Sequence, residues 1–329
     1  MGPIMMRRKL LVLAWVLVSG WGATDAHAQA WLPSKGEGAV SVLYQNLFTR
    51  DHFLAGGGRI DRGHIQSNNL LFDVTYGLTD KMALTLAAPF IRTRYSGQFP
   101  HPTSEDLLGQ VNSGFQNLRF GLRYNVVDRP AITITPFVGT NVPSHSYEYF
   151  AHAALGPRVR ELEVGSYFAR TLGPALPRVF VQARYAYSFA QRIEEIRHDR
   201  SNLDLEVGYV LTPRVRVFAI SAGQTTHGGI DTPDSGWRAL PPNLGEHHDR
   251  LARLEMLDFG GGVQISVSRS IEAFGSFMTT TAGRNSHALA RGLTLGVSWG
   301  FGGGLPSLVA STASPTEPKQ VLVRCLCQK

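Results

Sequence analysis

The feature that most constrains this chain is a two-residue hydropathy period in which one parity is apolar and free of charge. Reading every second residue gives Val40, Val42, Tyr44; Leu70, Phe72, Val74, Tyr76; Leu84, Leu86, Ala88, Phe90; and Leu118, Phe120, Leu122, Tyr124. Further along come Ile132, Ile134; Leu162, Val164, Phe168; Val179, Val181, Tyr185, Tyr187; Leu203, Leu205, Val207, Tyr209; and Val215, Val217. The series closes with Leu257, Phe259, Val263, Ile265, Val267; Ile271, Ala273, Phe277; and Leu293, Leu295, Val297, Trp299, Phe301. A side-chain period of two is that of a strand, so twelve such segments predict an all-β chain of about twelve antiparallel strands. The opposite parity is polar and often charged: Asp73, Arg119, Arg123, Glu161, Glu163, Arg184, Asp204, Glu206, Arg216 and Asp258. An Arg or Lys facing lipid at mid-depth costs roughly 2–4 kcal/mol. An apolar parity without charge therefore fits a face against lipid, with the polar parity turned to a lumen.

Connection lengths separate a membrane barrel from a soluble sandwich. Short turns follow the even-numbered segments, at 77–80, 127–130, 171–177, 211–214 and 268–270, and longer loops follow the odd ones, for example 93–116, 140–158 and 224–253. Both termini fall on the short side. That alternation predicts a transmembrane antiparallel barrel with short periplasmic turns and long external loops. The first strand is expected to pair with the last, because a lipid-exposed edge would leave backbone groups without partners.

The ends of the chain agree. Arg7, Arg8 and Lys9 precede an apolar run from Leu10 to Val18, and small residues at A-x-A spacing follow as Ala26-His27-Ala28 and Ala28-Gln29-Ala30. This predicts a signal peptide over 1–28, a mature start at Gln29 or Trp31, and passage through the periplasm to the outer membrane. The barrel is expected over 29–301, and 302–329, rich in Gly, Ser, Thr and Pro, has the composition of a disordered periplasmic tail. Both cysteines, Cys325 and Cys327, lie in that tail, so no disulfide framework is expected, and two ligands are too few for a structural zinc site. Removing the signal leaves 29 basic against 24 acidic residues, and no basic stripe with interleaved aromatics points to nucleic acid. The expected partners are outer-membrane lipid, a small-molecule solute and, through the aromatic-ended last strand 293–301, the barrel-assembly machinery.

Three runs carry a family resemblance. Phe72-Asp-Val-Thr-Tyr-Gly-Leu-Thr-Asp-Lys-Met-Ala-Leu-Thr-Leu with Pro89-Phe90, then Ser113-Gly-Phe-Gln-Asn-Leu-Arg-Phe-Gly-Leu-Arg-Tyr124, and more weakly Gly139-Thr-Asn-Val-Pro143, resemble outer-membrane proteins of the phenol-degradation meta-pathway. The family usually has Gly-Asp where this chain has Gln116-Asn117. The runs cover about a third of the chain. What the resemblance implies is a small transporter-like barrel associated with uptake of aromatic or other hydrophobic compounds.

The inward charges alternate in sign between strands. Arg184 falls at about the height of Asp204 and Glu206, counted from the turns, so a cross-strand ion pair is expected. Such groups either line a charged constriction that selects solutes or fill the lumen as paired struts; twelve strands lie between the closed and the open limits of barrel size. Two further classes stay open: a lipid-modifying hydrolase, and a barrel whose loops bind a partner. The segment Gly283-Arg-Asn-Ser-His287 holds hydrolase residue types, but Ser286 and His287 are adjacent and would point to opposite faces of a strand. Glu246-His-His-Asp249 is a loop with metal-ligand types and no scaffold to converge them. No cofactor motif, no catalytic residue and no metal ligand is assigned.

Overall fold

A computed structural model describes residues 30–97, 110–129, 131–150, 153–235 and 239–303. The signal segment 1–28 and most of the tail, with Cys325 and Cys327, lie outside them. Twelve strands form the wall: β1 (Gly38–Phe53), β2 (Arg59–Thr79), β3 (Met82–Ser96), β4 in two segments (Val111–Phe115 and Asn117–Tyr124), β5 (Ile132–Pro143) and β6 (Glu161–Leu172). They continue as β7 (Leu176–Ala190), β8 (His198–Thr212), β9 (Val215–Gly228), β10 (Glu255–Ser266), β11 (Ile271–Arg284) and β12 (Ser286–Phe301). Each pairs antiparallel with the next, and β1 pairs with β12 from Gly38 opposite Phe301 to Phe53 opposite Ser286. The sheet is therefore a closed barrel, and lipid meets no open edge.

The parity seen in the sequence decides which side faces out. Val42, Phe72, Leu86, Phe120, Val164, Tyr209, Phe259 and Val297 are exposed on the outer surface, and Leu295 and Trp299 leave 62% and 58% of their area uncovered by protein. In water these would be costly apolar patches; against acyl chains they are the stable arrangement. Inward residues alternate with them, so a one-residue slip anywhere would turn lumen charges into lipid. The strands run longer than a bilayer requires. β2 has 21 residues, where about 9–11 span the hydrocarbon, so the wall stands out beyond the membrane on the loop side.

The loop lengths depart from strict alternation. The periplasmic turns are short, as at 80–81 and 213–214, but two external connections are short as well: 54–58 between β1 and β2, and Asn285 alone between β11 and β12. Asn285 turns the chain at φ 46°, a left-handed conformation that Asn tolerates better than most residues. The strands simply continue through residues that a polar composition marks as loop. The long connections are 97–110, of which 98–109 lie outside the described residues, 144–160 and 229–254, and the last carries two single-turn helices, α1 (Pro242–Gly245) and α2 (His248–Leu251).

Candidate functional site

The lumen holds a chamber of about 560 Å³, within the range of small-molecule sites. Its floor at the periplasmic end is the segment before β1. Thr135 Oγ1 on β5 donates to the carbonyl of Ala30 at 2.7 Å, which draws Trp31 and Pro33 under the chamber. Its roof is loop 144–160, stitched to the inner face of β4. Asn112 Nδ2 donates to Ala153 O (3.0 Å), Gln116 Nε2 to Leu155 O (2.7 Å) and Asn117 Nδ2 to Val159 O (2.7 Å), while Tyr147 Oη donates to Asn117 Oδ1 (2.5 Å). Burial of the Tyr147 phenol pushes its pKa up to about 12, so it remains a donor at any physiological pH. Loop 229–254 lies over this roof. Leu251 packs with Val159 and Ile193, and the Tyr149 ring sits between the guanidinium groups of Arg158 (4.6 Å) and Arg250 (4.1 Å).

One wall of the chamber, from β6 to β9, is a ladder of paired charges. Register places Arg184 of β7 opposite Asp204 of β8, and Nη1 lies 3.1 Å from Asp204 Oδ2. The other nitrogen, Nη2, reaches Glu163 Oε2 of β6 at 2.6 Å, so one guanidinium ties three strands together. Arg200 Nη1 meets Glu161 Oε1 at 2.9 Å. Glu206 accepts from Gln182 Nε2 at 3.2 Å rather than pairing with Arg184. Arg216 donates to Gln264, which in turn donates to Glu272. Toward β4, Arg123 donates to Thr75 Oγ1 at 3.2 Å and Arg119 faces the chamber, as does Asp73 of β2. Asp258 stands apart from the other nine expected residues. It is inward and buried, but it accepts a 2.6 Å bond from Thr280 Oγ1 and does not line the chamber.

The inward parity also carries hydrophobic residues that a reading for charge passes over. Leu43, Leu71, Phe218, Ile220 and Phe274 are buried together, with Met278 against them. The aromatic ones follow a rule. Phe137, Phe180, Phe218 and Phe274, on β5, β7, β9 and β11, stand directly opposite Gly165, Gly208, Gly262 and Gly296 on the next strand. A Cβ on Gly165 or Gly262 would fall 2.7 Å from the facing ring, and on Gly208 or Gly296 it would overlap the ring outright. Each ring therefore lies over a glycine of the facing strand, in space that a side chain there would occupy. The available signal was an inward glycine in an even-numbered strand preceded by an inward Phe.

The other sequence candidates disperse. Ser286 Oγ donates to the Glu255 carbonyl at 3.3 Å, whereas the His287 ring lies 4.0 Å from that of His52, with Nε2 3.6 Å from Asp249. No group of three or more His, Cys, Asp or Glu among the described residues is placed to hold a metal ion.

No protein-family profile matches the chain, and no curated protein matches it in sequence. Among solved structures it is similar to the COG4313 outer membrane channel from Pseudomonas putida F1, with a TM-score of 0.67 and 15% identity over 84% of this chain and 100% of that one. A more distant likeness is to the NanC porin, at a TM-score of 0.47 and 9% identity over 79% of this chain and 98% of that one. The likeness to the Pseudomonas protein is one of fold, and together with the uncharged outward belt it makes this chain an outer-membrane β-barrel.

Proposed function

We propose that the barrel is a non-enzymatic channel for small hydrophobic or aromatic solutes. The observation that carries this reading is the composition of the chamber: the Phe137 and Tyr167 rings and Ile220 line it together with a laddered set of arginines and carboxylates. A flat apolar body with a polar or ionised substituent can meet both surfaces at once. A wholly apolar solute would leave the ladder unserved, and a sugar would leave the rings unserved. The sequence resemblance to phenol-pathway outer-membrane proteins and the fold shared with a protein described as a channel point the same way. In this reading Asp73, Arg119, Arg123, Glu161, Glu163, Arg184, Asp204, Glu206 and Arg216 tune the passage, and Asp258 fixes the wall. The last strand, ending in Trp299 and Phe301, is the segment offered to the barrel-assembly machinery.

The test is single-channel recording in a planar bilayer with benzoate, cyclohexanol and glucose added in turn. Benzoate should interrupt the current in resolvable events, cyclohexanol more weakly, and glucose not at all. A silent bilayer, or glucose acting like benzoate, would overturn the reading.

A further inference from the structure

On β7 the outward apolar run continues to the external end of the strand, where Tyr185 and Phe189 remain exposed. Across β12, β1, β2 and β3 it stops sooner. Register sets Leu293, Asn46, Asn68 and Arg92 side by side, then, one pleat higher, Arg291, Phe48, Gln66 and Arg94, with Arg50 opposite His64 above them. Arg92 and Arg94 are exposed while their neighbours Thr93 and Tyr95 are buried on the lumen side, so the guanidinium groups lie on the outer surface. Immediately below come the lipid-facing Tyr44 and Leu70, and then Phe72. Four strands at about 4.8 Å spacing put the Arg291 and Arg94 backbones about 14 Å apart.

Three features mark this face as built to hold an anion. Asn46 Nδ2 and Tyr44 Oη both donate to Asn68 Oδ1, at 2.9 and 2.8 Å, and Arg291 leans over Phe48 at 5.9 Å, so the floor is ordered. Arg92, Arg94 and Arg291 form no ion pair with a described residue, whereas Arg197 across the barrel is paired with Asp199. The described acidic groups on this face are Asp51, beside Arg50, and Asp61, which accepts from the Gly63 amide; both sit at the hairpin tip. We propose that the external outward face of β12, β1, β2 and β3 binds the phosphate-bearing headgroup of an outer-leaflet lipid. The forked guanidinium matches phosphate, and the row sits where acyl chains give way to headgroups. A second copy of the chain would set arginine against arginine, and a soluble acidic partner would have to displace lipid to reach the lower row.

The experiment uses the full chain in neutral detergent, titrated with bisphosphorylated lipid A, with the same lipid stripped of both phosphates, with inorganic phosphate and with poly-glutamate, binding being counted by native mass spectrometry. Only the phosphorylated lipid should bind well. At about a fivefold contribution per arginine, a chain carrying Arg92→Ala, Arg94→Ala and Arg291→Ala should bind it about a hundredfold more weakly, with an unchanged heat-dependent gel shift. The matching triple lysine chain should keep most of the affinity. Equal binding of the stripped lipid, tight binding of inorganic phosphate or poly-glutamate, or an unaltered triple alanine chain would overturn the proposal. If the triple chain does not fold, Arg94→Ala alone should lose about fivefold.

Discussion

The two sides of the lumen are built on the same backbone and hold together differently. From β6 to β9 the inward side chains include a run of ions, and Arg184 alone joins β6, β7 and β8 through Glu163 and Asp204. Across β12 and β1 they are neutral: Ser41 and Ser298 share a 2.8 Å hydroxyl bond, Gln45 donates to Thr294, and Leu43 packs with Leu71 and Phe274 of the flanking strands. The neutral side could lose a group and be left with a small void or a spare hydroxyl. The charged side could not, because each ion is held in place by the next and has little water to fall back on.

The largest effect should come from Arg184→Ala. With two carboxylates left facing each other, stability should fall by about 3 kcal/mol, and the reversal potential in a salt gradient should move toward cation selectivity. Unaltered melting and unaltered selectivity would remove the contrast between the walls. Next, Gly208→Ala drives a methyl into the Phe180 ring. It should cost about 1–3 kcal/mol and lower the conductance as the ring swings inward, and adding Phe180→Leu should restore part of both. On the neutral side Ser298→Ala should cost only about 1 kcal/mol in thermal melting and leave selectivity untouched. The smallest effect concerns the roof. Since the folded-state pKa of Tyr147 is raised, its contribution to stability is complete below the ordinary phenol value near 10 and disappears as pH rises to about 12. Alkaline titration followed by phenolate absorbance should show one late transition that Tyr147→Phe abolishes.

The wall was legible in the sequence because lipid imposes a rule without exceptions in the apolar segments from Val40 to Phe301, and a period of two cannot be read as a helix. The pairing of Arg184 with Asp204 was legible from height alone, since β7 and β8 are neighbours. Glu163 as the second partner was not, because it reaches Arg184 diagonally, and diagonal contacts depend on twist and rotamer. The inward Leu43, Leu71, Phe218 and Phe274 share their parity with ions and look like breaks in a pattern until register sets the rings over glycines. The roof was hidden for a different reason. Tyr147, Val159 and Leu251 lie in stretches whose composition is that of loops, and their burial is created by one loop folding onto another.

The pairing of ring and glycine belongs to the hairpin rather than to the barrel. In β5–β6, β7–β8, β9–β10 and β11–β12 the first strand supplies the Phe and the second the Gly, so each hairpin arrives with its own ring and the seat for it. A copy of β9–β10 inserted after β10 would bring a ring, a seat for it and a correct parity on both faces. Such a wall can change its circumference in steps of two strands while each step stays internally matched, which makes the hairpin the unit in which this architecture can be lengthened, shortened or exchanged.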